Sequence, residues 1–567
     1  QRTAENSQNL LEALSIQLPE RINKELFEVA PHAKMYYAVA DGFIQSLGWR
    51  RNNTIGETSR AFVNDVILGD IDLFSQFLEV SILNSMKPGF YFNAKRLHTF
   101  LNSFSLPERD HLWTIWLQNK FEDDTQNVSA VKRLIEYAWS ENSHEHLHDD
   151  SVLLGCITIS WFFTSANRYL RDAATKSLVS FLQNRTHLII SLLENFKNVN
   201  DPYVIERIYC AAYGAVLRAS NLEHLTSLSE YIYKEFFNKK EVFPHILLRD
   251  YARGIIEYTL HCRLSPKLDV AKIRPSYNSN PLPKKYPTNA AIDKKYEPKK
   301  DSGNWGKENW GATAILMSMT TEYGRGTSRY GDFGRYTFQA AFDDWNVDYN
   351  GLSNYAIERI FELGYNPKLF SSFDSEQGSG RGSGHKERIG KKYQWIVFYE
   401  LLARVSDQCL MTDETSWSKP KKSIAYDGPW NPYVRDIEPT LLIKDVMAER
   451  YADEFSSHWW FNKSYSPWNV EPKKWITDRK DLPQPQNILE VTDENNTAWI
   501  WLEVHPEWGE QEPLGEDRYD VQRKRLWYQM RSYLIKNSEL ADFKKSMNKT
   551  FYRSDLPEAR NMYQVFN

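Results

Sequence analysis

Apolar residues recur three to four positions apart through most of the first 260 residues, the spacing that lines one face of a helix. Ser105-Leu-Pro-Glu108 has the composition of a helix start, with Ser105 to cap, Pro107 in the first turn and Glu108 to close a capping box. Leu112, Ile115, Trp116 and Phe121 follow near the helical period and form one apolar stripe. From residue 151 the pattern predicts helices over 151–164, 167–183, 186–197, 202–219, 222–237 and 244–261. Loops of a few residues join them, which makes neighbours antiparallel. Helical spacing returns at 311–322, 335–343, 353–364 and 386–407, the last with Ile389, Trp395, Ile396, Tyr399, Leu402 and Val405 on a broad apolar face.

The pattern also repeats. Leu170-Arg-Asp-Ala-Ala174 returns 78 residues on as Leu248-Arg-Asp-Tyr-Ala252, two units of 39, with Asp201-Pro-Tyr-Val204, Arg207 and Ala211 in the unit between. A helix pair of about 40 residues is the period of HEAT or armadillo repeats, whose units bury their apolar faces only by stacking. The expected fold is therefore mainly α, a HEAT/TPR-like α-solenoid of helix pairs. Arg171, Asp172, Arg249 and Asp250 read as a structural ladder between its repeats.

Two stretches depart from this pattern. Residues 273–308 hold Pro275, Pro281, Pro283, Pro287 and Pro298, little apolar periodicity and a net charge of +4, the signature of a linker or long surface loop. The last 150 residues predict a hairpin, Ile488–Val491 with Ala498–Val504 around Asp493-Glu-Asn-Asn496, and a helix at 518–537 carrying Leu526, Trp527, Met530 and Leu534. The expected organisation is a helical region over 1–150, repeats over 151–272, a Pro/Lys-rich linker or loop over 273–310, a helical segment over 311–415 and a Trp-rich α/β part over 416–567.

Composition narrows the function. In 567 residues, 70 Lys+Arg against 74 Asp+Glu leave a net charge of −4, which argues against a surface that tracks nucleic acid throughout. Cys156, Cys210, Cys262 and Cys409 are far apart in sequence, without a C-x-x-C, and isolated thiols suit a reducing cytoplasm. Mean hydropathy is −0.59 and no run of 18 apolar residues exists, so no membrane span is expected. Gln1 in place of Met suggests a trimmed piece of something longer. Ten of the 19 Trp lie between Trp417 and Trp527, which points there for a partner.

Several motifs invite chemistry. His144, His146 and His148 with Asp149 and Asp150 suggest a metal site, yet a capped loop before a helix explains them better. Gly378-Ser-Gly-Arg-Gly-Ser-Gly384 fails as a phosphate loop because His385 and Glu387 stand where Lys and Ser or Thr belong. Asp332-Phe-Gly334 spells a kinase motif without its companions. Arg381, Lys386, Arg388, Lys391 and Lys392 make 379–395 a +4 stretch beside Tyr393 and Trp395, able to grip phosphate or to be a solvated helix face over a core side. Residues 507–520, with six acidic side chains and one Arg, could dock a basic surface or form a polar loop.

Trp161-Phe-Phe-Thr-Ser-Ala-Asn-Arg-Tyr-Leu-Arg-Asp-Ala-Ala-Thr-Lys176, Leu248-Arg-Asp-Tyr-Ala-Arg-Gly-Ile-Ile256, Gly331-Asp-Phe-Gly-Arg-Tyr336, Arg388-Ile-Gly-Lys-Lys-Tyr-Gln-Trp395 and Arg435-Asp-Ile-Glu-Pro-Thr440 carry a resemblance. Together, with matching segments spread over 105–560, they resemble the C-terminal region of antiviral STAND NTPases, the AVAST family of bacterial anti-phage proteins. The resemblance implies an N-terminal effector, often a nuclease, then a STAND ATPase, then a repeat-rich sensor. That sensor binds a conserved phage protein, the large terminase subunit or the portal, and binding drives oligomerisation and effector activation. This sequence has no Walker A loop and no nuclease motif, so it is expected to be an excised sensor without catalysis or a cofactor of its own. The end at Val565-Phe-Asn567 is expected to be a cut. Trp459, Trp460 and Trp468 are the leading partner anchors, with Arg388, Lys391 and Lys392 as further candidates. The rival readings are a HEAT-type scaffold for host proteins, a phosphate-handling enzyme around Asp332, Arg335 and the 385–392 cluster, and a nucleic-acid module using 273–308 and 379–395.

Overall fold

Helix starts are written in polar side chains that occupy otherwise unsatisfied N–H groups. Asn167 accepts from Tyr169 N and Leu170 N, and Asp201 accepts from Tyr203 N with Pro202 in the first turn. Ser105 and Glu108 form the expected capping box. Asn167 is fully buried, so Asn167→Ala is expected to lower the unfolding free energy by about 1–2 kcal/mol, measured by urea denaturation.

The computed structural model describes residues 33–50, 55–122, 128–140, 144, 146–298, 309–322, 331–343, 345–377, 387–412, 423–426, 437–442, 484–492, 496–505, 507–509, 525–533 and 535–547. The helices up to residue 122 are α1 (Ala33–Leu47), α2 (Glu57–Phe62), α3 (Ile71–Leu83), α4 (Ala94–Asn102), α5 (Leu106–Arg109) and α6 (Ile115–Glu122). A π-helical turn, Val63–Ile67, extends α2, and a second, Asp110–Thr114, joins α5 to α6. Next come α7 (Ala130–Trp139), α8 (Asp149–Phe162), α9 (Arg168–Leu182), α10 (Leu188–Phe196), α11 (Pro202–Arg218), α12 (Leu225–Ile232) and α13 (Ile246–His261). The predicted helix starts and ends from 151 to 261 fall within three residues of these, the 222–237 helix being completed by a π-helical turn, Tyr233–Phe237, after α12.

Alternate helices share a layer. α7, α9, α11 and α13 lie side by side, α8, α10 and α12 form a second layer, and each pair joins the two. This is an α-solenoid of helix pairs. Arg171 on α9 donates to Glu206 on α11 and lies over the Tyr203 ring, while Arg207 on α11 faces Asp172 on α9 at 3.2 Å. Further along, Arg253 meets Asp250 at 2.7 Å within α13. Arg249 reaches instead to Asp407 at 2.8 Å, on a helix 154 or more residues later in the chain. Of the positions singled out by the repeat, Arg171, Asp172 and Arg249 join one helix to another, whereas Asp250 pairs within its own helix.

That later helix is α19 (Ile389–Gln408), preceded by α14 (Asn289–Tyr296), α15 (Trp310–Ser318), α16 (Ala340–Phe342), α17 (Tyr349–Glu362) and α18 (Pro367–Glu376). α19 extends the first layer past α13 and packs on α15, α17 and α18. One buried cluster consequently runs from Ala40 to Tyr426, so the described parts of 1–415 share one core and are not a string of separate bodies. The expected linker is a tied-down surface loop over 273–298. Ile273, Tyr277 and Ile292 are buried, Tyr277 N donates to Asp407, and Arg404 donates to the Asn280 and Pro281 carbonyls. α14, capped by Thr288, sits inside that loop and was not foreseen, nor was α18. At the end of α17, Gly364 has φ +101° and closes a Schellman turn, with Gly364 N donating to Phe361 O and Tyr365 N to Ile360 O. A Cβ at Gly364 would stand 3.0 Å from Pro107 Cγ, so the same residue permits close approach to α5.

The chain divides into two compact units at Leu442/Ile443, rather than at the expected 415/416. Residues 423–426 belong with the helices: β1 (Met411–Thr412) pairs with β2 (Ser423–Ile424), and Tyr426 is buried against Trp345. The second unit, Ile443–Arg560, contains α20 (Pro485–Leu489), β3 (Glu490–Thr492), β4 (Ala498–Ile500), β5 (Glu503–Val504), β6 (Glu507–Gly509), β7 (Arg525–Trp527), β8 (Met530–Arg531) and α21 (Leu540–Met547). β3 and β4 form the predicted hairpin in a shorter version, with Ile488 placed in α20. The helix predicted over 518–537 is corrected: Leu526, Trp527 and Met530 lie in β7 and β8, which pair antiparallel with β6 and β5 in one shared register. Their helical spacing is real, but strand partners about 20 residues upstream decide the outcome.

Candidate partner-binding surfaces

The basic cluster of the sequence surrounds the start of α19. A carboxylate from α18 caps this helix: Asp374 accepts from Ile389 N at 2.6 Å, Gly390 N at 3.1 Å and Tyr365 Oη at 2.8 Å. Burial dominates over these bonds and pushes the Asp374 carboxyl up to about 6. Its folded-state value exceeds its unfolded one, so its contribution to stability is full below about pH 4 and is lost as pH rises through 6. Asp374→Asn is therefore expected to flatten the pH dependence of the unfolding midpoint between pH 4 and 7, as read by thermal melts.

The three cations that follow go to different places. Arg388 lies with its guanidinium 5.7 Å from the Trp310 ring, and Lys391 with Nζ 5.4 Å from the Phe333 ring, both partly exposed. Lys392 is corrected as a partner-binding candidate. It is fully buried, donating to Asp110 Oδ1 at 2.7 Å and Asp201 Oδ2 at 2.8 Å, with Arg109 3.8 Å from Asp201. One residue further along a helix turns the side chain by about 100°, from the surface to the seam between α19, α11 and the π-turn after α5. Among the described residues the cluster is thus not one phosphate-gripping patch; Arg381 and Lys386 lie outside them.

The other motifs resolve into packing. Phe333 of Asp332-Phe-Gly334 is a core wedge against Trp395 and Phe398, and Arg335 donates to the Glu322 carbonyl. His144 is buried with its ring edge-on to Phe181 and Nε2 3.3 Å from Ser180 Oγ. His148 is the residue before α8, Asp149 and Asp150 begin it, and Asp149 pairs with His187 at 2.7 Å and Arg185 at 3.3 Å. Among the described residues no three His, Cys, Asp or Glu side chains are grouped to hold a metal. No helix among them is long and apolar enough to cross a membrane. Trp459, Trp460, Trp468, the Gly-rich run at 378–384 and the acidic stretch at 510–520 lie outside the described residues.

Two features were missed by sequence reasoning. A cavity of about 230 Å³ opens beside α2–α4, walled by Phe74, Phe77, Phe92 and Phe100, with the Arg60 and Arg96 guanidinium groups 4.0 and 4.5 Å from the Tyr91 ring. The second is apolar surface in the Ile443–Arg560 unit, where Trp499, Ile500, Trp501 and Leu502 are 54%, 63%, 50% and 61% exposed and Trp527 is 57% exposed. The backbone beneath them is fixed. Trp499 pairs with Val491, Trp501 N donates to Leu489 O at 2.9 Å, and Ser532 N donates to Leu502 O at 2.8 Å. A signal was present in the sequence: four consecutive apolar residues in a strand-like stretch must place some on each face.

Comparisons with family models, with curated proteins and with solved structures return no match to this chain.

Proposed function

We propose that this chain is a protein-recognition region, with the α-solenoid as scaffold and the Ile443–Arg560 unit as a principal contact surface. The observation that carries the reading is the exposed run from Trp499 to Leu502 on hydrogen-bonded backbone. Trp is the residue type most enriched among interface hot spots, and contiguous exposed apolar surface marks interaction sites. A fixed backbone reduces the ordering entropy lost on binding. Following the resemblance to antiviral STAND NTPases, the proposed target is a phage protein, the large terminase subunit or the portal. In that architecture target binding would drive self-association through a STAND region and switch on an effector, and this chain would contribute recognition rather than catalysis.

The test is a pull-down of the full chain against individually expressed phage proteins at physiological salt. Retention of terminase or portal is the expected result. Recovery of host proteins alone would transfer the reading to a cellular scaffold.

A further inference from the structure

Residues Ile437–Leu442 lie across the first helical layer, and three side chains from three of its helices hold their carbonyl groups. Trp139 Nε1 on α7 donates to Leu442 O at 2.7 Å. Lys176 Nζ on α9 donates to the carbonyls of Glu438 and Leu441. Arg218 Nη1 on α11 donates to Thr440 O at 2.7 Å, while its Nε is held by Gln183 Oε1 at 2.8 Å. Between these clamps Pro439 and Thr440 are buried.

Gly214 supplies an independent observation. It lies inside α11, where glycine is an unfavourable choice. A Cβ there would stand 2.8 Å from Pro439 Cβ and 2.9 Å from Pro439 O. The helix therefore carries a notch that fits a pyrrolidine ring. The three clamps take only main-chain carbonyls, which every peptide offers, so selectivity falls to this notch and to charge. Burial lowers the Lys176 pKa, and the charge of the neighbouring Glu438 opposes that fall. Main-chain bonds for affinity with a side-chain seat for selectivity is the logic by which extended peptides are recognised.

We infer that this face is a recognition groove for an extended acidic–proline segment, filled in cis by Ile437–Leu442 and taken by the equivalent segment of a partner protein when the cis segment leaves. The cis segment immediately precedes the Ile443–Arg560 unit, so exchange frees the chain at the head of that unit. The inference shares with the proposed function the premise that the chain binds protein. Its test uses no phage protein, so either can fail alone.

The experiment uses the full chain and a fluorescent synthetic peptide spanning residues 435–443, followed by anisotropy. Pro439→Asp expels the cis segment from the Gly214 notch and removes its high effective concentration. The peptide is expected to bind this variant at least tenfold more tightly than the unsubstituted chain. Adding Lys176→Met or Arg218→Met should weaken it about tenfold again, with helical content and melting unchanged because both side chains reach the surface. Gly214→Val should abolish binding, as should an Asp in place of proline in the peptide. Equal binding to the unsubstituted and Pro439→Asp chains, or binding indifferent to Lys176 and Arg218, overturns the inference. Dimers of the unsubstituted chain that dissociate on Pro439→Asp would assign the groove to a second copy and overturn the partner segment.

Discussion

Lys392→Ala is expected to lower the unfolding free energy by about 3–5 kcal/mol, the usual effect of removing one member of a buried ion pair; it strips Asp110 of its cation and leaves Asp201 only Arg109, 3.8 Å away. Lys392, Asp110 and Asp201 are all fully buried, and one ammonium serves both carboxylates. Asp201 also caps α11 and Asp110 accepts from Thr114, so neither can turn away without losing a second bond. The pH dependence identifies the cause. Burial already raises the Asp110 carboxyl above its usual range, and Lys392 opposes that rise. Without the lysine the folded-state value climbs further. A group whose folded value is raised stabilises most below its unfolded value and least above its folded one. The deficit of Lys392→Ala should thus be smallest near pH 4 and grow toward pH 7. Denaturant unfolding at both values checks this; a deficit independent of pH would mean that lost packing, rather than unpaired charge, is responsible.

Trp499→Asp with Trp501→Asp should reduce affinity for the protein target at least about a hundredfold while leaving the melting temperature within about 1 °C. Hot-spot aromatics contribute about 2 kcal/mol or more each, and such contributions are not additive, so a hundredfold is the lower expectation. Stability is spared because both side chains are at least half exposed and their strand bonds are main-chain bonds. Calorimetric titration against the captured target gives the affinity, and a thermal melt gives the control. Unchanged affinity would remove this surface from the proposed function.

How far the sequence carries depends on whether the deciding interaction is local. Asn167, Asp201 and the pair Ser105 and Glu108 mark helix starts through neighbours two or three residues away, and those starts were legible. The 39-residue period located the solenoid because each unit packs on the next. Lys392 looked like part of a surface cluster, since its carboxylates lie 191 and 282 residues earlier. Leu526, Trp527 and Met530 had helical spacing and became strands through β5 and β6. The Trp-rich region was visible as composition, but exposure of Trp499 and Trp501 is a tertiary property. Likewise, nothing in the residues around Gly214 announces that Pro439, far along the chain, fills its notch.

The arrangement around Lys392 also bears on synthesis. Translation proceeds at roughly 5–20 residues per second, and 191 residues separate Asp201 from Lys392. For about 10–40 s the emerging solenoid therefore holds two carboxylates at a seam destined to be dry, with Arg109, 3.8 Å from Asp201, in place but without the ammonium that bridges the pair. Until α19 arrives, that seam has every reason to stay open to water, and the nascent chain presents it to whatever chaperone or membrane lies near the ribosome. A protein read as a linear stack of repeats thus has a late clasp, and its early half completes its core only when a helix made near residue 400 returns to close it.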